Sequence, residues 1–202
     1  MRTGKRENKL KFDIYGLMAV LIIGVVAGTL LLKFTGESYR TVLMRMTDAF
    51  IESRKSRSFI KTLSSSLFST SIYLVIAFFV GYFAFGKPIS IFIPFFKGLG
   101  LGISMADIFA RYSTGGFKIC LIIILPGVLI ESLAIITASK ESARASSRIF
   151  AFICGKSKTG EEDDDDEVSF GTYIIKFAAL FLIALIGAVV TATVSYFFGS
   201  ML

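Results

Sequence analysis

Five long apolar stretches, each nearly free of charge, limit what this chain can fold into. They fall at about Ile14–Leu32, Leu67–Phe85, Ile89–Ala110, Phe117–Ala138 and Gly171–Phe198. A helix needs ~20 residues to cross the hydrocarbon core, and each stretch is near or above that length. Lipid offers no hydrogen-bond partners to the backbone, so uncharged spans of this length must be helical. The expected fold is all-α: an integral membrane helical bundle of five transmembrane helices forming a single membrane domain, 1–202. A mean hydropathy of +0.72 is too high for a soluble domain of this size. The basic stretch "MRTGKRENKLKF" resembles the start of a signal peptide. The run after it is long enough to span, and no small-residue cleavage pattern follows, so it reads as a retained first span.

The segments between the spans differ in character. In 38–63, Val42, Met46, Phe50 and Ile51 recur at helical spacing, with Arg45, Asp48 and Glu52 among them. This pattern predicts an amphipathic interfacial helix, either a surface for a partner or a cover over the spans. The segment 139–170 reads as an acidic cytoplasmic loop, because it holds the run "EEDDDD". That run lacks the alternating ligands and glycine of a calcium loop and reads as a solvated stretch, so no metal and no cofactor are expected. Lys and Arg are only slightly more frequent on the N-terminal side of the spans. The basic flank of the first span favours a cytoplasmic N-terminus and an outside C-terminus. The net charge of +7 sits mostly between spans, where lipid head groups rather than nucleic acid are the near partners.

The third and fourth spans carry charge inside the membrane. Lys97 lies in "FFKGLGLGISMAD" and Glu131 in "LPGVLIE", each about eight residues from the same boundary. At ~1.5 Å per residue both lie roughly 12 Å deep. Spans joined by the short "RYSTGG" turn should be antiparallel neighbours, so the two charges should pair. An unpaired charge at such depth costs several kcal/mol. Asp107 has Arg111 one helical turn on and Lys118 across the turn. Gly98, Gly100 and Gly102 remove side-chain bulk beside Lys97, and Gly24 and Gly28 form a G-x-x-x-G on span one. Pro94 and Pro126 should kink spans three and four. The glycine faces also leave room for a homo-oligomer.

At these residues the chain resembles the stage II sporulation protein M family. "FFKGLGLGISMADIF", a glycine turn and "ILPGVLIESLAII" carry the resemblance, with Phe96, Lys97, Gly98, Gly102, Gly116, Leu125, Pro126, Glu131 and Ala134 at the family's positions. Two positions depart from it: Gly127 stands where many relatives have histidine, and Leu133 where some have proline. The resemblance implies a multi-pass protein of the bacterial cell membrane that acts in sporulation engulfment. It implies a non-enzymatic scaffold that positions two peptidoglycan-remodelling enzymes, stage II sporulation proteins D and P. The residues themselves agree with a non-catalytic role. The chain has no histidine, which removes the usual general base and the commonest zinc ligand. Its two cysteines, Cys120 and Cys154, form no C-x-x-C. The alternative reading is a transporter or channel component that uses the Lys97–Glu131 pair.

Overall fold

The computed structural model describes residues 3–34, four positions of the next segment (Val42, Arg45, Asp48 and Glu52), residues 58–154 and residues 170–198. Among these, the regular elements are all helical. They are α1 (Thr3–Phe34), α2 (Phe59–Val80), α3 (Gly86–Ile119), a π-helical turn (Cys120–Ile124), α4 (Leu125–Ile153) and α5 (Phe170–Phe198). Among the described residues, five segments are long and apolar enough to cross a membrane: Ile14–Phe34, Phe59–Val80, Gly86–Arg111, Cys120–Ile153 and Gly171–Phe198.

Several boundaries differ from the sequence expectation. The second span begins at Phe59 rather than Leu67, because Thr62, Ser66 and Thr70 all turn inward and are buried. It ends at Val80, and the turn to α3 is closed by Gly86, whose missing Cβ would otherwise strike the Val80 carbonyl. The fourth span runs to Ile153 instead of Ala138, so the first half of the expected 139–170 loop is helix. Its polarity misled the reading: Ser139, Ser142 and Ser146 form one buried face, with Ser90 Oγ 2.8 Å from Ser142 Oγ. The acidic run lies outside the described residues.

The "RYSTGG" stretch does not interrupt the helical backbone, yet the chain still reverses there. A Cβ on Gly116 would lie 3.0 Å from the Ile108 carbonyl oxygen. In a straight helix, eight residues would separate them by ~12 Å. The cross-helix pairs Ser90–Ser142 and Lys97–Glu131 both close around Thr114–Gly116, so α3 and α4 form an antiparallel hairpin. Pro94 is fully buried within a helix that continues through it. Before Pro126 the backbone widens into the π-turn. The proline ring would crowd the Ile122 carbonyl in an α-helix, and a wider turn relieves this.

Helix α1 packs on α3, and the contacts rise together along both helices. Gly24 faces Phe95 and Leu99, while Gly28 faces Leu99 and Ile103, so the two run parallel. Helix α5 lies between α2 and α4, antiparallel to both, and closes the core of Leu74, Ala77, Ile93, Ile135, Ala138, Phe177, Leu180 and Ala184. One face of the bundle therefore carries the start of α1, the α2–α3 turn, the end of α4 and the start of α5, and is called the N-terminal face below. The opposite face carries the start of α2, the α3–α4 reversal and the end of α5.

Candidate functional site

The centre of the bundle holds one charged cluster built from three helices and braced by a fourth. Lys97 Nζ of α3 donates to Glu131 Oε2 of α4 at 3.3 Å, with both side chains almost wholly buried. Helix α2 completes the cluster. Thr70 Oγ1 donates to Glu131 Oε2 at 2.8 Å, and Ser66 Oγ donates to Glu131 Oε1. Lys97 Nζ also lies 3.4 Å from Thr70 Oγ1 and 5.4 Å from the centre of the Tyr73 ring. Both carboxylate oxygens are thus satisfied, and the ammonium has an anion, a hydroxyl and an aromatic face. From α5, Gly187 lets Glu131 pack closely: a Cβ there would sit 3.1 Å from Glu131 Cγ.

Sequence reasoning brought Lys97 and Glu131 together but missed Ser66, Thr70 and Tyr73. A signal for the hydroxyls was present. Thr62, Ser66 and Thr70 recur every four residues on one helix face, the spacing of side chains that share a neighbour.

A second cluster lies toward the opposite face. Asp107 is fully buried and accepts from Arg111 Nε at 2.9 Å. The same guanidinium donates through its second arm to Asp48 Oδ1 at 2.6 Å. Arg111 thereby ties α3 to the segment before α2. Glu52 makes the next tie, accepting from Lys61 Nζ at 3.3 Å. Val42, Arg45, Asp48 and Glu52 all have helical backbone, and Val42 is exposed. Met46, Phe50 and Ile51, the other members of the expected partner surface, lie outside the described residues. So does the side chain of Lys118, the second expected partner of Asp107.

The glycines divide into two groups. A Cβ on Gly24 would overlap the Phe95 carbonyl, and one on Gly28 the Leu99 carbonyl. Reciprocally, Gly98 meets the Leu21 carbonyl and Gly102 that of Val25. This is backbone-to-backbone packing, in which Cα–H groups approach carbonyls of the neighbouring helix. Gly100 is the exception and corrects the expectation of a packing role. Two residues from Gly98, it points to the other side of α3 and has nothing within 4 Å. Gly127, where the family often has histidine, abuts Thr191 of α5 so closely that even a Cβ would collide.

This arrangement of a central lysine–glutamate pair, a reversed hairpin with Gly116 and a proline one turn before the glutamate can be set beside known proteins. Residues 17–196 match the family model for Stage II sporulation protein M. The chain belongs to that family. It is a sporulation-related, multi-pass membrane protein. The match reaches into all five spans, and both charged clusters and the glycine contact fall within residues 17–196. No curated protein and no solved structure matches the chain.

Proposed function

We propose that this protein is a non-enzymatic membrane scaffold that recruits and positions peptidoglycan-remodelling enzymes during sporulation engulfment. Its partners are stage II sporulation proteins D and P, by resemblance to the family. The N-terminus lies in the cytoplasm, and the C-terminus, the α3–α4 reversal and the segment around Asp48 lie outside. The observation that carries the reading is the two-armed Arg111. It anchors a helical segment to the bundle on the face where wall enzymes would be met. The charges within the membrane are engaged with one another, which suits a rigid platform.

The test is capture of the tagged protein from native membranes in mild detergent, followed by identification of what accompanies it. The expected companions are peptidoglycan hydrolases, lost in Met46→Asp and Phe50→Asp variants that accumulate to normal levels. Hydrolases retained by both variants would move the docking surface elsewhere. Recovery of transport subunits without wall enzymes would sink the scaffold reading.

A further inference from the structure

Pro94 and Pro126 each leave a helix one hydrogen bond short. Pro94 has no N–H to offer the Ser90 carbonyl, and Pro126 has none for that of Ile122. Ser90 is fully buried and Ile122 half-buried. A carbonyl freed inside the membrane needs another donor, because lipid supplies none.

Several hydroxyls in these spans bond within their own helix. Ser104, Ser147, Thr191 and Thr193 each donate to the carbonyl four residues earlier. Ser139 and Ser195 do not. They are 0% and 1% exposed. Among the described residues, theirs are the buried side-chain polar atoms with no hydrogen-bond partner.

The two serines coincide in position with the two prolines. Ser139 shares the α4 face of Ser142, which meets Ser90 of α3. The hairpin is antiparallel, so the step from Ser142 back to Ser139 runs alongside the step from Ser90 to Ile93 and Pro94. The Ser90 carbonyl points in that same direction along α3. Ser195 lies one turn beyond Thr191, which abuts Gly127. Helices α4 and α5 are antiparallel, so that turn faces Ile123, inside the π-turn and next to Ile122. Each unpartnered donor thus stands level with a carbonyl that a proline has freed. A single water answers both needs, because it accepts from the hydroxyl and donates to the carbonyl. Both partners are neutral, so the fit is to water rather than to an ion.

We infer that the bundle binds two internal waters. One lies between Ser139 Oγ and the Ser90 carbonyl, the other between Ser195 Oγ and the Ile122 carbonyl. Each completes the backbone of a kinked helix. Pro94 comes three residues before Lys97, and Pro126 five before Glu131. Each water therefore steadies the bend that aims one member of the ion pair. The first site lies between the pair and the N-terminal face, the second between the pair and the opposite face. Neither depends on what the protein recruits.

The full-length protein in lipid nanodiscs is given a brief X-ray pulse, which makes hydroxyl radicals wherever water is bound. Oxidised side chains are then located by mass spectrometry. Ile93 and Ile123 should be oxidised several-fold more than Leu17 and Leu32 of α1, which are at least as exposed. Ser139→Ala should abolish the excess at Ile93 and leave Ile123 unchanged, and Ser195→Ala should do the reverse. Pro94→Ala and Pro126→Ala return an N–H to the freed carbonyl, so each should lower the excess several-fold at its own site. A serine that merely fills space would not respond to the proline. Oxidation at Ile93 and Ile123 no higher than on α1 overturns the inference, since the hydroxyls then bond back to the Ile135 and Thr191 carbonyls. An excess that survives the serine or the proline change at its own site overturns it as well. So does an equal loss at both sites from any one variant, the mark of a general change in the bundle. Should a proline variant fail to fold, the serine variant at the same site decides.

Discussion

Helix α3 is held on two sides by opposite means. Toward α1 it presents Gly98 and Gly102, and the two backbones touch where side chains are missing. Toward α2 and α4 it presents Lys97, whose long side chain is held by Glu131, Thr70 and Tyr73. Lipid is as apolar as leucine, so burying apolar surface gives little reason for helices to associate. Close packing and internal hydrogen bonding take over that role, and α3 uses one on each side. The first contact fails when atoms are added. The second fails when atoms are removed.

The sharpest way to break this symmetry is to remove one half of the ion pair. Glu131→Ala leaves Lys97 buried without its anion and Ser66 and Thr70 without an acceptor. A loss of about 3–5 kcal/mol is expected in reversible unfolding in mixed micelles. Replacing both charges, as Lys97→Met with Glu131→Leu, should recover most of that loss, because no buried charge is left unpaired. The reversed pair, Lys97→Glu with Glu131→Lys, should likewise be milder than either single change in a double-mutant cycle. If both single variants and the reversed pair fold yet fail alike in sporulation, the pair has a chemical role beyond packing.

Next in size is the addition of bulk at the glycine contact. Gly28→Leu would drive a side chain into the Leu99 carbonyl and should cost about 1–3 kcal/mol. Its signature should be local. Helix α1 packs chiefly on α3, so it should become sensitive to protease and crosslinking while α2–α5 stay folded. Global unfolding instead would show that α1 is integral to the bundle.

Arg111→Gln comes third. It exposes the difference between a central cluster and one near the boundary. Asp107 is fully buried, but Arg111 is over a third exposed, and solvent reaches that side of the pair. A loss of about 1–2 kcal/mol is expected, less than for Glu131→Ala. Hydrogen exchange around Asp48 should rise in the variant, because its tie to α3 is gone. The smallest effect is reserved for Gly100→Ala. With open space around it, the methyl should be neutral or stabilise the helix by up to about 1 kcal/mol, while Gly98→Ala destabilises. Equal effects at Gly98 and Gly100 would refute the facing described for α3.

Much of this was legible before any fold was known. The spans follow from local hydropathy, since the hydrocarbon core accepts or rejects each stretch on its own composition. Lys97 and Glu131 could be matched because a short turn and a fixed rise per residue set their depths together. Gly24, Gly28, Gly98 and Gly102 carry their spacing openly in the sequence.

Only the tertiary structure decided what depends on relations between helices. A serine reads as polar until its neighbour is known, so Ser66 was left outside the second span and Ser139, Ser142 and Ser146 outside the fourth. Their hydroxyls go inward because Glu131, Ser90 and the Ala84 carbonyl wait there, or because a tightly packed face admits so small a side chain. Gly100 shares the sequence motif of Gly98 yet faces away, because helix rotation rather than residue type decides what a position meets. Gly127 is fixed by the approach of Thr191, a residue of α5 more than sixty positions later in the chain. The chain composition determined that five helices would cross the membrane. Their rotation and contact determined which polar groups they could carry inside.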